Sequence, residues 1–354
     1  MKKKLFKRKK QIYSVTLIKC PPIFNIFVLR ILALDNTKSS LRQYDEWGQT
    51  IRRLTDREIS NSKDMTLSIL IPSYNWDCSQ LVQDLLEQIP EDAEIIVGND
   101  KSTASKAIAA FQYIATLKQC KIFEPTENLG RARILNRLFE LSSGKWILIM
   151  DCDTKIDNPN YIQDYLTATE RHVADAFCGG MKNTETCPKG CELRWTYETR
   201  VARKLTVSYR QEHPYESLTT QNFMISREAF IQTGFLEAIT QYGYEDIILI
   251  QQLQQQNKKI YHLENRLIHL DIDTNKGFLA KSRQALRTLH SLPKEVWPDT
   301  KLTKLYHRLH ALHLHRIIAL IHLMLLPITK RLLQSRIAPI SVFQLYKLGY
   351  FCGL

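Results

Sequence analysis

Trp146-Ile147-Leu148-Ile149-Met150-Asp151-Cys152-Asp153 decides how this chain folds. The five apolar residues follow Ser143-Gly144-Lys145, a turn, and read as a strand buried on both faces. Two carboxylates at i and i+2 then stand on one side of the pleat where the strand leaves the sheet. Aspartate is a poor strand former and costly to bury unpaired, so a hard cation is its natural partner. Oxygen ligands of this kind suit Mg²⁺ or Mn²⁺, and such an ion usually also grips a substrate phosphate. Ligands of open α/β sheets bind outside the carboxyl ends of the strands, which is where this pair lies.

The flanking sequence agrees. Met65 to Asn75 reads as a buried strand ending in a turn, and Cys78 to Gln88 as a helix with Leu81, Leu85, Leu86 and Ile89 on one face. Glu94–Asp100 is a second strand, Ser105–Leu117 a helix, and Cys120–Phe123 a short strand. Asn128-Leu129-Gly130 then turns into a helix from Arg131 to Leu141. This β-α-β-α-β-α-β order predicts an α/β fold with a doubly wound, mostly parallel sheet. The alternation stops near residue 180. Beyond it a helix spans Glu192–Leu205, a strand Asn222–Ile225 and a helix Arg227–Thr233. Tyr242-Gly243-Tyr244-Glu245-Asp246 opens another helix to about Gln256, and Lys259–Leu263 and Arg266–Leu270 are short strands. Lys301–Leu326 reads as an amphipathic helix that Pro327 stops or kinks, with a second apolar-basic segment over 328–354.

Charge divides the 354 residues into three parts. Residues 1–64 hold 15 basic and 6 acidic side chains, 65–279 hold 22 and 28, and 280–354 hold 12 and 2. An acidic centre between basic ends points to termini that touch an anionic surface. No uninterrupted apolar run reaches ~18 residues, so no transmembrane helix is expected. The basic Lys2–Lys10 run lacks the apolar stretch and cleavage site of a secretory signal. The eight cysteines form no disulfide framework, and Cys187-Pro-Lys-Gly-Cys191 lacks a second ligand pair at zinc spacing. A cytoplasmic location, peripheral on the inner face of the membrane, is the expectation. Residues 1–64 read as an extension outside the fold, 65–290 as the main domain in two halves (65–155 and 156–290), and 291–354 as a helical region.

Taken together the motifs resemble the family 2 glycosyltransferases, which have the GT-A fold. They run in the family's order: Leu67–Asn75, the Asn99-Asp100 turn, Asn128-x-Gly130-Arg131, Asp151-x-Asp153, and Tyr242-Gly-Tyr-Glu245-Asp246 with a downstream His269. The resemblance implies a metal-dependent, inverting transfer of one sugar from a nucleotide-sugar, with a UDP-sugar expected. The acceptor would be a glycan or a lipid-linked glycan, in surface polysaccharide or lipopolysaccharide assembly. Pro72, Tyr74 and Asp100 would hold the nucleotide, the ring stacking on the base and the carboxylate accepting a uracil N–H. Arg131 and Arg133, in the first turn of a helix, would take the diphosphate. Asp153 and His269 would hold Mn²⁺ or Mg²⁺, with Asp151 on the ribose or a metal-bound water. Asp246 would be the base that takes the acceptor's proton, where the helix dipole favours an anion, and Glu245 would bind the acceptor. Gly179, Gly180, Asn222 and Gly243 would line the acceptor side. The chain departs from the family in carrying Asn99 where an acid is usual and Leu135 where an arginine is common.

Simpler readings stand beside these. Glu245-Asp246 by itself caps a helix, Arg131 and Arg133 by themselves are an exposed helix face, and a histidine such as His269 is commonly a satisfied core residue. His307, His310, His313, His315 and His322 fall on the polar side of an amphipathic helix suited to a bilayer interface or a partner helix. Trp297, Tyr346, Tyr350 and Phe351 are its candidate interfacial anchors. No nucleic-acid-binding motif is present, so nucleic acid is not an expected partner. A nucleotidyltransferase would need a Gly-rich phosphate loop with a lysine after the first strand, which Ile71–Asn75 lacks. A catalytically silent scaffold that binds a nucleotide-sugar or a membrane is the other alternative.

Overall fold

The computed structural model describes residues 65–237, 243–294, 297, 298 and 300–354. The basic extension 1–64, with its Lys2–Lys10 run, and Tyr242 lie outside them. The predicted order begins with β1 (Leu67–Ser73), α1 (Ser79–Leu86), β2 (Ala93–Asn99), α2 (Ser105–Ile114), β3 (Cys120–Phe123), α3 (Arg131–Leu141) and β4 (Trp146–Met150). The chain goes on through β5 (Thr154–Lys155), α4 (Tyr161–Arg171), β6 (Ala176–Cys178), β7 (Met181–Asn183), α5 (Glu192–Lys204) and α6 (Val207–Glu212). Then come β8 (Asn222–Ser226), α7 (Arg227–Thr233), α8 (Glu245–Gln255), β9 (Ile260–His262) and β10 (Leu267–His269). Four helices close the chain: α9 (Asn275–Ser291), α10 (Lys301–Ala311), α11 (His315–Leu333) and α12 (Ile340–Cys352).

Seven strands form one sheet in the order β3-β2-β1-β4-β8-β6-β9. The α/β class and the mostly parallel sheet are as expected. Period-two alternation sends Leu67, Ile69 and Ile71 to a core shared with α1, α2 and α4, and Leu70 to one shared with α3, α7 and α8. Strand β8 alone runs antiparallel to its neighbours, with Met150 opposite Asn222. Its amino end therefore lies at the carboxyl edge of β4. A second, three-stranded sheet, β5-β10-β7, extends from the same corner and pairs His269 with Thr154. Far from that edge, the buried Glu94 accepts hydrogen bonds from the Ser68 hydroxyl, the Ser143 amide and Lys121, at 2.7 Å each. Burial opposes its charge, but these donors hold its carboxyl below the ordinary range.

The helical region differs from expectation in three ways. The continuous helix to Leu326 is broken instead at Leu312–Leu314, where His313 has φ 56° and the axes of α10 and α11 turn by 115°. Pro327 sits inside α11. A proline removes one N–H and costs ~3 kcal/mol in an unsupported helix, but here Leu326 and Leu333 pack on either side of it. Trp297, Tyr346 and Phe351 are not interfacial anchors, since all three are buried between helices, and Tyr350 accepts a hydrogen bond from Arg287. α12 docks on α5 through Phe343 and Tyr197, with Lys347 Nζ 4.8 Å and 5.3 Å from the two ring centroids. Burial there pushes the lysine down to about 8. His310 and His315 stack at 4.6 Å, and among the described residues no three His, Cys, Asp or Glu side chains could hold a metal. Helices α4 and α9 were not anticipated, and α9 packs with both α12 and α5.

Candidate active site

The carboxyl ends of β1, β2 and β4 lie along one edge because these strands are parallel and in register. Asn75, at φ 55°, ties the first two ends together by accepting the amides of Thr103 and Ala104 at 2.6 and 2.9 Å. Beside it Tyr74 is 55% exposed, a ring open to a stacking partner. Pro72 is different: it is buried within β1 opposite Gly98, so its part is to hold the strand end rather than touch a ligand. Asp100 also departs from its assigned role. Its two oxygens accept the Leu129 and Gly130 amides at 2.7 and 2.9 Å, fixing the turn into α3. Burial pushes this carboxyl up while the two amides work against it.

Arg131, the first residue of α3, is the hub of the edge. Its Nε and Nη2 donate to Asp151 Oδ1 at 3.1 and 2.8 Å, and its Nη1 to Asp246 Oδ1 at 2.7 Å. Burial would weaken its charge, but Asp151, Asp246 and Glu245 more than offset this and raise its pKa. Arg131 occupies one Asp151 oxygen, and Gln221 donates to the other at 2.9 Å. Its carboxyl is held below the ordinary range by Arg131 and Gln221 against the effect of burial. Asp246 Oδ1 also accepts the Thr220 hydroxyl, while Oδ2 takes no hydrogen bond among the described residues. Arg133 is turned away. Residues two apart on a helix do not share a face, and its Nε donates to the Glu237 carbonyl at 3.1 Å.

Asp153 and His269 meet because β10 pairs antiparallel to β5, with the Leu270 amide donating to the Asp153 carbonyl at 2.8 Å. His269 Nε2 lies 3.3 Å from Asp153 Oδ2, and its Nδ1 lies 3.3 Å from Glu198 Oε2 on α5. Burial disfavours the imidazolium, yet Asp153 and Glu198 raise its pKa to about 9. A carboxylate oxygen and an imidazole nitrogen at this separation suit neighbouring ligands of one ion, since bonds of about 2.1 Å at right angles set their ends ~3 Å apart. Glu198 would then fix the tautomer from behind. Arg194 Nη2 also lies 3.4 Å from that Nε2 and would have to draw back from an ion held there, whose remaining positions would fall to phosphate oxygens and water.

A cavity of about 270 Å³ opens beside His269, lined by Gly180, Tyr197, Glu198, Arg210 and Gln221 among others. Of the four residues assigned to the acceptor side, Gly180 alone borders it. Asn222 is fully buried and bonded to Tyr161 and Tyr165 hydroxyls and to the Gly180 and Asn265 carbonyls. Gly179 lies against that same network, where a Cβ would come within 2.3 Å of the Asn265 carbonyl. Gly243, at φ 106°, makes room for Ala285 of α9 rather than for a sugar, as a Cβ would sit 2.6 Å from the Ala285 methyl. Glu245 is buried too and accepts the Gly243 amide at 2.9 Å, with its carboxyl pushed up by burial and by Asp246. Sequence reading missed Thr220, Gln221 and Glu198. The first two precede a strand start at Asn222, a signal that becomes informative only once β8 is known to be antiparallel.

Residues 68–234 match the family model described as Glycosyl transferase family 2. Over those residues the chain is similar to the family 2 glycosyltransferases. No curated protein matches it in sequence. The crystal structure of the S. aureus TarS 1-349 fragment is similar at 17% identity and a TM-score of 0.45, covering 80% of this chain and 89% of that one. Against the longer S. aureus TarS structure the values are 18% and 0.44, covering 64% of this chain and 40% of that one. The Pyrobaculum calidifontis mannosyltransferase PcManGT, solved with GDP-Man and Mn²⁺, is similar at 13% identity and 0.46, covering 75% of each chain.

Proposed function

We propose that this protein is a glycosyltransferase that moves one sugar from a nucleoside diphosphate-sugar to an acceptor hydroxyl with inversion at the anomeric carbon. The observation that carries the reading is the convergence at one sheet edge of the Asp153–His269 pair and the Arg131–Asp151–Asp246 cluster. The donor diphosphate would lie toward Asp153 and His269, which would hold Mn²⁺ or Mg²⁺; the ion would neutralise charge on the departing phosphate. Tyr74 would stack on the base. Asp246 Oδ1 is pinned by Arg131 and Thr220, which leaves Oδ2 to take the acceptor's proton. As the acceptor oxygen bonds to the anomeric carbon, the bond to the diphosphate breaks and its electron pair leaves with the phosphate. The acceptor, a glycan or lipid-linked glycan, would enter by the cavity at Gly180 and Gln221.

The uracil expectation rested on Asp100, whose oxygens hold backbone amides, so the donor base is open to test. Release of nucleoside diphosphate from UDP-, GDP- and dTDP-sugars, with Mn²⁺ and with EDTA, addresses it. Metal-dependent release from one donor supports the proposal. If no nucleotide-sugar binds in the presence of Mn²⁺, the transferase reading fails and a membrane-binding scaffold takes its place.

A further inference from the structure

We infer that α11 lies in the plane of an anionic lipid bilayer, with its outward face sunk among the acyl chains. Between residues 317 and 328 every exposed position is apolar. Ile317, Leu320, Ile321, Leu323, Met324 and Ile328 are each between 46% and 72% exposed. Only the opposite face packs, on α12, where Gly349 lets the two helices close on His322. A patch of this kind on a water-soluble surface marks a binding site.

Charge identifies the occupant. Arg316 stands at one end of the apolar stretch and Lys330 and Arg331 at the other, and residues 300–354 contain no Asp or Glu. A protein partner with an apolar groove has no need of a wholly cationic surround, whereas acidic headgroups do. Length sets the orientation. Nineteen residues make a helix of ~28 Å, but the apolar part is only twelve residues, ~18 Å, well short of a ~30 Å hydrocarbon core. No single described helix is long and apolar enough to cross a membrane. The sharp turn from α10 into α11 suits a helix laid along the interface, its basic ends reaching the headgroups. This surface does not depend on the catalytic reading.

Flotation of the full chain with vesicles tests it, using phosphatidylcholine alone and phosphatidylcholine mixed with phosphatidylglycerol. Wild type is expected to float with the anionic vesicles, and Ile321→Asp/Met324→Asp to bind at least about tenfold more weakly. Both substituted positions are exposed, so an unchanged thermal melt separates lost binding from lost folding. Arg316→Glu/Lys330→Glu is expected to remove the preference for anionic lipid. Failure of wild type to float with either vesicle at low salt would overturn the proposal. So would equal flotation of the double aspartate variant, or a stable dimer in wild type that this variant makes monomeric, since a second copy would then cover the face.

Discussion

Between residues 65 and 270 the exceptional groups are charges held inside; between 301 and 333 they are hydrocarbons held outside. The inner charges are partnered across long stretches of chain, as Arg131 is with Asp246 and Asp153 with His269. The outer hydrocarbons of α11 have no such partner within the described residues. Burying charge is costly unless it is paired, and exposing apolar surface is costly unless something covers it. One region has met its cost within the chain, and the other meets it only on a surface. Chemistry and docking are therefore separable, and variants should divide along the same line.

The largest expected effect is on the proton transfer. Asp246→Asn should lower sugar transfer by about 10²–10⁴-fold while donor binding persists, as a general base contributes that much. Full turnover in this variant would move the base elsewhere. Next is the residue behind the histidine. Glu198→Gln should weaken Mn²⁺ affinity by about 10–100-fold, the usual effect of removing a group that orients a ligand histidine. A metal titration of nucleotide binding reads it directly, and unaltered affinity would reduce Glu198 to a packing role. A smaller effect tests the packing of the Gly243 turn on α9. Gly243→Ala places a side chain at φ 106° against Ala285, and should cost about 1–3 kcal/mol in urea unfolding. The smallest is acid stability. Glu94 is depressed in the fold, so its contribution is complete above the ordinary glutamate value of about 4.3 and fades as pH falls below it. Glu94→Gln should lower stability at neutral pH and flatten that acid limb, whereas the Ile321 and Met324 variants should leave both unchanged.

Legibility followed locality. Strands β3 and β4 and helices α3 and α7 have the bounds read from the sequence, because apolar runs between turn residues specify them without help. Strand direction has no local signature. The antiparallel β8 was not foreseen, and with it went Thr220 and Gln221, which reach Asp246 and Asp151 only through that reversal. Asn222, one residue further on, was assigned to the site and proves to be core. Arg131 was recognised as functional, but Asp151 and Asp246 as its partners depend on side-chain packing that no spacing encodes. In the helical region Pro327 does not stop the helix, the contacts of Leu326 and Leu333 with α12 carrying it through.

The central claim is that the β4–β10 corner binds a nucleotide-sugar through a metal held by Asp153. Calorimetric binding of nucleotide-sugars to wild type, Asp153→Asn and Asp246→Asn, each with Mn²⁺ and with EDTA, tests it most directly. The account predicts Mn²⁺-dependent binding in wild type, kept in Asp246→Asn and lost in Asp153→Asn. Equal binding in EDTA, or an Asp153→Asn variant that binds as wild type does, would contradict it.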